Sequence, residues 1–319
     1  MFTYICIFIL LFFLELLYFK VADTFNIVDK PNQRSSHTNV TLRGGGIIFY
    51  LSTLIYFLLS GFQYPWFVIG VSLMAFVSFL DDIYTLPNKL RLVIHFGSVL
   101  FMAYELQIFE MPWYYLLITF IVVVGVINAY NFMDGINGIT ACYSLAVGSL
   151  LLLANKQYNF IQKDLLIYSI LGLLVFAFFN FRNKAKCFAG DVGSVTIAFV
   201  FLFALAELIL KTGKLIYIQF LVVYGVDAIW TIIQRIFRKE NIFEAHRSHL
   251  YQYLANEAKG NKLIISFSYG LIQFLIGCLV IWFANTDAVA QIVFSIILIS
   301  SLSIAYLVIK SYIIKKYIL

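Results

Sequence analysis

The chain has 319 residues, of which 62% are hydrophobic and only 12% are charged. A soluble globule of this length would need far more polar surface, so the composition excludes a soluble fold and predicts a polytopic membrane protein. The formal net charge of +6 is explained by basic residues at one membrane face and by attraction to anionic lipid, so no nucleic-acid partner is expected.

Apolar runs of about 17 to 25 residues, long enough to cross a bilayer, recur from end to end. We predict an all-α fold of about eleven transmembrane helices that form a single membrane domain over residues 1–319. The first span lacks a basic leading segment and a cleavage pattern, so we expect it to remain as an anchor. The predicted spans are 2–21, 46–62, 65–80, 92–108, 112–130, 139–154, 164–181, 194–210, 214–234, 263–283 and 288–309.

Lys and Arg residues are distributed unevenly between the loops. Most lie in the odd-numbered loops and in the C-terminal tail, and the even-numbered loops hold only Lys156, Lys163, Lys211 and Lys214. Because basic residues are retained in the cytoplasm, the N-terminus is predicted outside and the C-terminus in the cytoplasm. Five polar segments then share the cytoplasmic face, and they are 26–46, 81–92, 128–138, 180–194 and 234–252.

The first two polar segments carry a glycine triplet and an acid pair. Arg43 and Gly44 stand just before the second span, where backbone N–H groups at a helix N-terminus can contact a phosphate, although glycine triplets also form simple loops. Asp81 and Asp82 follow the third span. Adjacent carboxylates repel each other unless a cation or proton is near, so this pair suits metal binding or proton transfer better than a solvated helix end.

The segment 128–138 combines amides, an acid and glycines. Asn128 and Asn131 are three residues apart and share a helix face, which Asp134 continues. The glycines that follow allow a tight turn in which backbone N–H groups face a bound group. A plain helix-ending turn is the alternative, but it would not require Asn and Asp at these intervals.

The fourth segment places Asp191 between Gly190 and Gly193, where the next span begins. An acidic N-cap is a common structural use of such a residue. Its location on the same face as the Asp pair and the Asn-rich turn favours a shared Mg²⁺ site, since hard cations bind carboxylate and amide oxygens together with phosphate.

The last polar segment sets His246 and His249 on either side of Arg247. His and Arg together suit a phosphate-rich ligand better than a metal, for which a third soft ligand is missing. A patch for lipid headgroups is the alternative. Asp227, about two turns before this loop, either faces the site or pairs with Arg235.

These five motifs, in this order and on alternate loops, resemble those of the polyprenyl-phosphate N-acetylhexosamine-1-phosphate transferases of glycosyltransferase family 4. The resemblance covers the whole chain. The last loop, with Ala245 before His246, is similar to the subgroup that primes O-antigen and related glycans, and Leu42 stands where a Pro is frequent in the family.

The resemblance implies transfer of an N-acetylhexosamine 1-phosphate from a UDP-sugar to undecaprenyl phosphate, with release of UMP and with Mg²⁺, or Mn²⁺ in its place, as cofactor. The sugar stays open among GlcNAc, GalNAc, FucNAc and QuiNAc. The catalytic residues it implies are Asp81, Asp82, Asp191, His246 and His249. The substrate-binding residues are Arg43, Gly44, Asn128, Asp134, Asn137, Phe188 and Arg247, and the metal ligands are Asn131 and Asp191.

Within this set, Phe188 would stack on uracil and Asn137 would bind its edge, while Asp81 and Asp82 would serve the acceptor phosphate. Direct attack by the lipid phosphate is expected, with Asp81 as base and a covalent aspartyl intermediate as the alternative. The resemblance also implies a bacterial cytoplasmic (inner) membrane, an active site that faces the cytoplasm, and a homodimer as one option for assembly.

A multi-spanning transporter or flippase for a lipid-linked or anionic solute is the rival class of function. It would need polar residues along a path through the membrane. The loops predicted on the outer side are short and nearly free of motifs, so the sequence favours the enzyme.

Overall fold

The structure, a computed structural model, describes residues 2–31, 40–84, 86–241 and 247–318. Its helices are α1 (Phe2–Thr24), α2 (Ile47–Leu59), α3 (Pro65–Tyr84), α4 (Asn88–Glu105), α5 (Trp113–Met133), α6 (Ile139–Tyr158), α7 (Lys163–Asn180), α8 (Gly190–Thr212), α9 (Val222–Phe237), α10 (Leu250–Gln252), α11 (Lys262–Phe283) and α12 (Ala288–Tyr317). A 3₁₀ helix, Leu215–Leu221, leads into α9. Two short strands, β1 (Val28–Asp29) and β2 (Thr41–Leu42), pair antiparallel.

Nine helical segments of the described chain are long and apolar enough to cross a membrane. The two other predicted spans, 46–62 and 92–108, are also helical, but α2 has only 13 residues and α4 begins in the polar segment at Asn88. Pro87 immediately precedes α4, which fits the preference of proline for the start of a helix. The all-α polytopic class is confirmed, whereas eleven spans and the orientation of the termini stay predictions.

Helix α8 forms the centre of the bundle. It is buried along most of its length and packs against α2, α3, α5 and α6. Helix α12 lies at the periphery and is exposed along most of its length. Because lipid tails are as apolar as the side chains that face them, exposed Ile, Leu and Val on such an outer helix are expected.

Helices α2 and α8 meet through two glycines. A Cβ atom at Gly46 would lie 2.2 Å from the Cα of Gly193, so neither position admits a side chain unless a helix moves. Small residues at a helix crossing let the backbones approach closely. This contact brings the N-termini of both helices together at one end of the bundle.

Candidate active site

The glycine triplet is paired with the segment that precedes α8. The backbone N–H of Gly45 donates to the carbonyl oxygen of Phe188 at 2.9 Å, and the N–H of Phe188 donates to that of Leu42 at 2.8 Å. Phe188, whose side chain is half-buried, is thereby fixed beside Arg43 and Gly44. Three of the predicted substrate-binding residues therefore lie together.

Asp82 anchors the N-terminus of α8. Its carboxylate accepts the backbone N–H groups of Asp191 and Val192 at 2.9 and 3.1 Å, which satisfies helix donors and is favoured by the helix dipole. Gly190 has a left-handed backbone, with φ of 72°, and a Cβ there would lie 2.4 Å from Oδ2 of Asp82. Glycine at this position lets Asp82 reach the helix and hold Asp191 in place.

Two arginines bridge the three acids. The Nε of Arg43 is 2.7 Å from Oδ1 of Asp82, and its Nη2 is 3.5 Å from Oδ1 of Asp191. Arg91 places Nη1 2.7 Å from Oδ2 of Asp81 and Nη2 3.2 Å from Oδ2 of Asp191. Three carboxylates this close would repel one another, and the two guanidinium groups offset that repulsion.

Arg91 was not among the predicted site residues. It lies in the first turn of α4, within the segment that begins with the acid pair, and a basic residue at that spacing is the signal that points to it. Burial alone would lower the pKa of the Arg43 guanidinium, but the carboxylates of Asp82 and Asp191 raise that pKa above its usual value. Arg43 is therefore a permanent cation at the centre of the acid cluster.

Asn137 and Gly138 connect the third polar segment to the fourth. The Nδ2 of Asn137 donates to the carbonyl oxygens of Arg182 and Asn183 at 2.7 and 3.2 Å. The N–H of Gly138 donates to Oδ1 of Asn180 at 2.7 Å. Because Asn137 uses its amide nitrogen within the chain, a base edge would have to meet its Oδ1 or replace these bonds. Its predicted contact with uracil stays a prediction.

Asp134 lies immediately after α5, within the field of the acid cluster. Its Oδ1 accepts the hydroxyl of Thr140 at 2.6 Å. Burial raises the pKa of the Asp134 carboxyl to about 6, the bond from Thr140 opposes that rise, and the charge of Asp191 adds to it. Asp134 therefore titrates closer to neutral pH than an exposed aspartate does.

The donors around Asp191 suit a magnesium ion that is held mainly by substrate. Within the described ranges, no group of three or more His, Cys, Asp and Glu is placed to hold a metal, and Mg²⁺ usually needs only one or two carboxylates besides phosphate and water. Asp191 is partly exposed, and Asn128 and Asn131 are half-buried near the end of α5, which packs against α8. A metal at Asp191 would replace an arginine contact.

The last polar segment packs on the third. The hydroxyl of Tyr251 donates to the carbonyl oxygen of Phe132 at 2.9 Å. The ring of His249 lies 5.9 Å from that of Tyr251 and 6.2 Å from that of Phe132, measured between centroids. These contacts join the described part of the last polar segment (the His loop) to the Asn-rich turn, so the described parts of all five polar segments lie at one end of the bundle.

Asp227 contacts His249 and not Arg235. Its Oδ1 is 3.1 Å from Nδ1 of His249, and both side chains are almost fully buried. Arg235 instead places its Nε 3.1 Å from Oε2 of Glu240. Of the two options left open by the sequence, the structure favours an Asp227 that faces the His loop.

Arg247 adds a cation to the same loop. Its Nη2 is 3.8 Å from Oε1 of Glu257, while its buried Nε makes no hydrogen bond to any part of the chain that the structure describes. A buried guanidinium donor in this position is one that a bound phosphate would satisfy. His246 lies outside the described residues, so its predicted role stays a prediction.

Comparisons with known proteins agree with the resemblance drawn from the motifs. Residues 64–209 match the model of glycosyl transferase family 4, a stretch that includes the acid pair, the Asn-rich turn and Asp191 but neither Arg43 nor the His loop.

Among curated proteins, the chain is 26% identical over 279 residues to a "Probable undecaprenyl-phosphate N-acetylglucosaminyl 1-phosphate transferase" of Bacillus subtilis (strain 168), a match that covers 81% of this chain and 76% of that protein. It is 28% identical over 223 residues to the undecaprenyl-phosphate alpha-N-acetylglucosaminyl 1-phosphate transferase of Yersinia pestis, with 63% of this chain and 61% of that protein covered. The similarly named protein of Escherichia coli (strain K12) is 29% identical over 209 residues, with 59% and 57% covered.

Proposed function

We propose that this chain is a member of glycosyl transferase family 4, whose model matches residues 64–209, and that it transfers an N-acetylhexosamine 1-phosphate from a UDP-sugar to undecaprenyl phosphate and releases UMP. The names of its relatives favour N-acetylglucosamine as the sugar. The product would start a lipid-linked glycan such as O-antigen or another envelope polysaccharide. We place the site at the cytoplasmic face of the bacterial inner membrane, where the bias of Lys and Arg puts the polar segments.

The observation that carries this proposal is the cluster in which Arg43 and Arg91 bridge Asp81, Asp82 and Asp191. Phosphoryl transfer needs little covalent help from a protein, and it depends on groups that position the reactants and neutralise charge. A guanidinium binds a phosphate as readily as a carboxylate. Arriving substrate phosphates can therefore take over arginine contacts that the acids hold in their absence.

The acceptor phosphate is the nucleophile in this proposal. A phosphate monoester with a second pKa near 6 is mostly a dianion at neutral pH, so it needs little deprotonation. One of its oxygens forms a bond to the sugar-side phosphorus of the UDP-sugar, the bond from that phosphorus to the UMP oxygen breaks, and UMP leaves. The carboxylate of Asp81 is held by the N–H of Leu86 at 2.6 Å and by Arg91. In this proposal Asp81 would accept any proton that remains on the acceptor phosphate.

Mg²⁺, when bound, would supply further positive charge to the diphosphate, and Asn131 and Asp191 would hold it. The half-buried ring of Phe188 would stack on uracil beside Gly44 and the N-termini of α2 and α8, which favour phosphate. Arg247, with its buried Nε, would bind the diphosphate from the opposite segment. Asn128 and Asp134 would line the space between them.

Purified protein tests the proposal when it is incubated with Mg²⁺, undecaprenyl phosphate and a panel of UDP-sugars while UMP release is measured. UMP is expected with UDP-N-acetylglucosamine and only when the lipid phosphate is present. If no UDP-N-acetylhexosamine yields UMP although the protein still binds the lipid, the proposed transferase activity is refuted. A phosphorylated Asp81 trapped in single-turnover mixing would replace direct attack with a covalent route.

A further inference from the structure

Helix α12 buries a lysine although most of the helix is exposed. Only three of its 30 residues are buried, namely Tyr306, Lys310 and Ile313. Lys310 is 2% exposed, and an ammonium group is costly to bury unless it is paired or hydrogen-bonded. A peripheral helix that buries a charge at one point is expected to use that charge in a specific contact.

Lys310 binds the backbone immediately before His249. Its Nζ donates to the carbonyl oxygen of Ser248 and to the hydroxyl of Tyr306, each at 2.6 Å. The rings of Tyr253 and Tyr306 lie 5.4 and 5.0 Å from the same Nζ, within the range of cation–π attraction. The ammonium group of Lys310 is thus held on several sides, and it in turn holds the carbonyl group of Ser248, next to His249.

Asp227 holds the other side of His249. Its Oδ1 lies 3.1 Å from Nδ1 of the imidazole and accepts the N–H of Leu250 at 3.1 Å. Its Oδ2 accepts the hydroxyl of Tyr269 at 2.9 Å. Since an ionised carboxylate can only accept a hydrogen bond, Nδ1 of His249 is assigned the proton that it donates to Asp227. The ring is then oriented with its Nε2 edge directed away from Asp227.

The hydroxyl groups of Tyr306 and Thr231 connect Lys310 to the residues around His249. The hydroxyl of Tyr306 lies 2.9 Å from Oγ1 of Thr231, and the hydroxyl of Thr231 has two acceptors, Oδ1 of Asp227 at 3.3 Å and the carbonyl oxygen of Ser248 at 3.5 Å. Tyr306 accepts from Lys310, so its own proton is available for Thr231. A run of hydroxyl donors therefore leads from α12 to Asp227 and Ser248, the two groups that contact His249 or the backbone before it.

We propose that Lys310 and Asp227 are positioning residues that hold His249 from two sides, one through the carbonyl of Ser248 and the other through Nδ1. The inference rests on the proposed function, with His249 among the catalytic residues that the family resemblance implies. Helix α12 contributes through this backbone contact and through the hydroxyl relay.

The test compares Lys310→Met with Lys316→Met. Lys316 donates to the hydroxyl of Tyr312 at 3.1 Å, four residues earlier on the same helix, but it is exposed, so it is a matched control for loss of a lysine and its tyrosine contact. Because small misplacements of a catalytic group are costly, Lys310→Met is expected to lower kcat roughly ten- to hundredfold with little change in KM for the UDP-sugar. Lys316→Met is expected to match the wild type, and Lys310→Arg to recover part of the loss.

Histidine spectroscopy separates positioning from folding and from turnover. The chain has 4 His, so selective ¹⁵N labelling gives few signals, and His249→Gln identifies the one of interest. The Nδ1-protonated form is expected in the wild type and in Lys316→Met, and a mixture of tautomers in Lys310→Met.

Tyr306→Phe serves if Lys310→Met does not fold, since it removes the relay hydroxyl while it keeps the ring. It is expected to shift the same signal. An unchanged His249 signal and an unchanged kcat in a folded Lys310→Met or Tyr306→Phe protein would overturn the inference. A wild type that releases no UMP would refute the proposed function, and the His249 signal would still decide the positioning.

Discussion

The carboxylate of Asp82 accepts the backbone N–H of Asp191 at 2.9 Å, so one acid of the site determines where another stands. Asp191 is one of the two residues proposed to hold Mg²⁺. Its position depends on a side chain from α3, which approaches α8 only because Gly190 carries no Cβ. We therefore expect the acid pair to have two roles, with Asp82 as an anchor of α8 and Asp81 at the acceptor phosphate.

Asp82→Asn is expected to weaken both the framework and the reaction. The amide keeps the size of the side chain but removes the charge that faces Arg43 and one acceptor for the N-terminus of α8, at a cost of about 1 to 3 kcal/mol in stability. Activity is expected to fall more than hundredfold, by analogy with the loss of other preorganised charged groups. Thermal unfolding and UMP release measure the two effects.

Asp287→Asn is the matched control for this variant. Asp287 also accepts a backbone N–H at a helix N-terminus, that of Ala290 at 3.0 Å, but it is exposed and distant in sequence from the site. Asn is an equally good N-cap, so its activity and unfolding temperature should remain those of the wild type. An Asp82→Asn protein as stable and active as this control would contradict the anchoring role.

Arg91→Lys is expected to lower kcat roughly ten- to hundredfold although the charge is kept, since an ammonium cannot bridge two carboxylates in the planar geometry of a guanidinium. Arg91 contacts Asp81 and Asp191 through separate nitrogens. Arg238→Lys, at an exposed arginine 3.9 Å from Glu240, provides the control. The steady-state rate of UMP release should match the wild type in Arg238→Lys. Equal rates in both variants would argue against a bridging role for Arg91.

Gly193→Ala is expected to destabilise the protein by about 1 to 3 kcal/mol, as overpacking does elsewhere. Its Cβ would lie 2.6 Å from the Cα of Gly46, so α2 and α8 would have to separate. Gly97→Ala is the comparison, because a Cβ at Gly97 meets no atom within 4 Å. Chemical unfolding in detergent should distinguish the two, with Gly97→Ala at or above wild-type stability. Equal loss in both would rule out a helix crossing that requires glycine.

Asp134 predicts a pH dependence of stability. Burial raises the folded-state pKa of Asp134 to about 6, above the pKa of an exposed aspartate. At a pH between the two pKa values, the carboxyl of the folded protein keeps a proton that the unfolded chain has released. The stabilisation from that proton is complete below the unfolded pKa and is lost as pH rises to about 6. Asp134→Asn should therefore show a smaller fall in unfolding temperature between pH 4 and pH 7 than either the wild type or Asp23→Asn, at an exposed acid. Parallel curves for all three proteins would exclude this explanation.

The sequence predicted most of the residues that the structure brings together in the acid cluster because Asp, Asn and His stand out against an apolar background. It did not predict Arg91 as a bridge, since a basic residue in a loop at this face is equally explained by membrane orientation. The contact of Lys310 with Ser248 was not predicted for the same reason, because this lysine was counted with the basic residues of the C-terminal tail. Phe188 donates to Leu42 of a two-residue strand, which is too short for any alternating pattern, so only the folded chain reveals this contact.

The measurement closest to the central claim is a mass spectrum of the lipid made by purified protein from UDP-N-acetylglucosamine, undecaprenyl phosphate and Mg²⁺, with Asp191→Asn in parallel. We expect undecaprenyl diphosphate linked to N-acetylglucosamine from the wild type, and almost none from Asp191→Asn because its carboxylate lies at the centre of the acid cluster. Equal amounts of product from both proteins would contradict the assignment of this cluster as the active site.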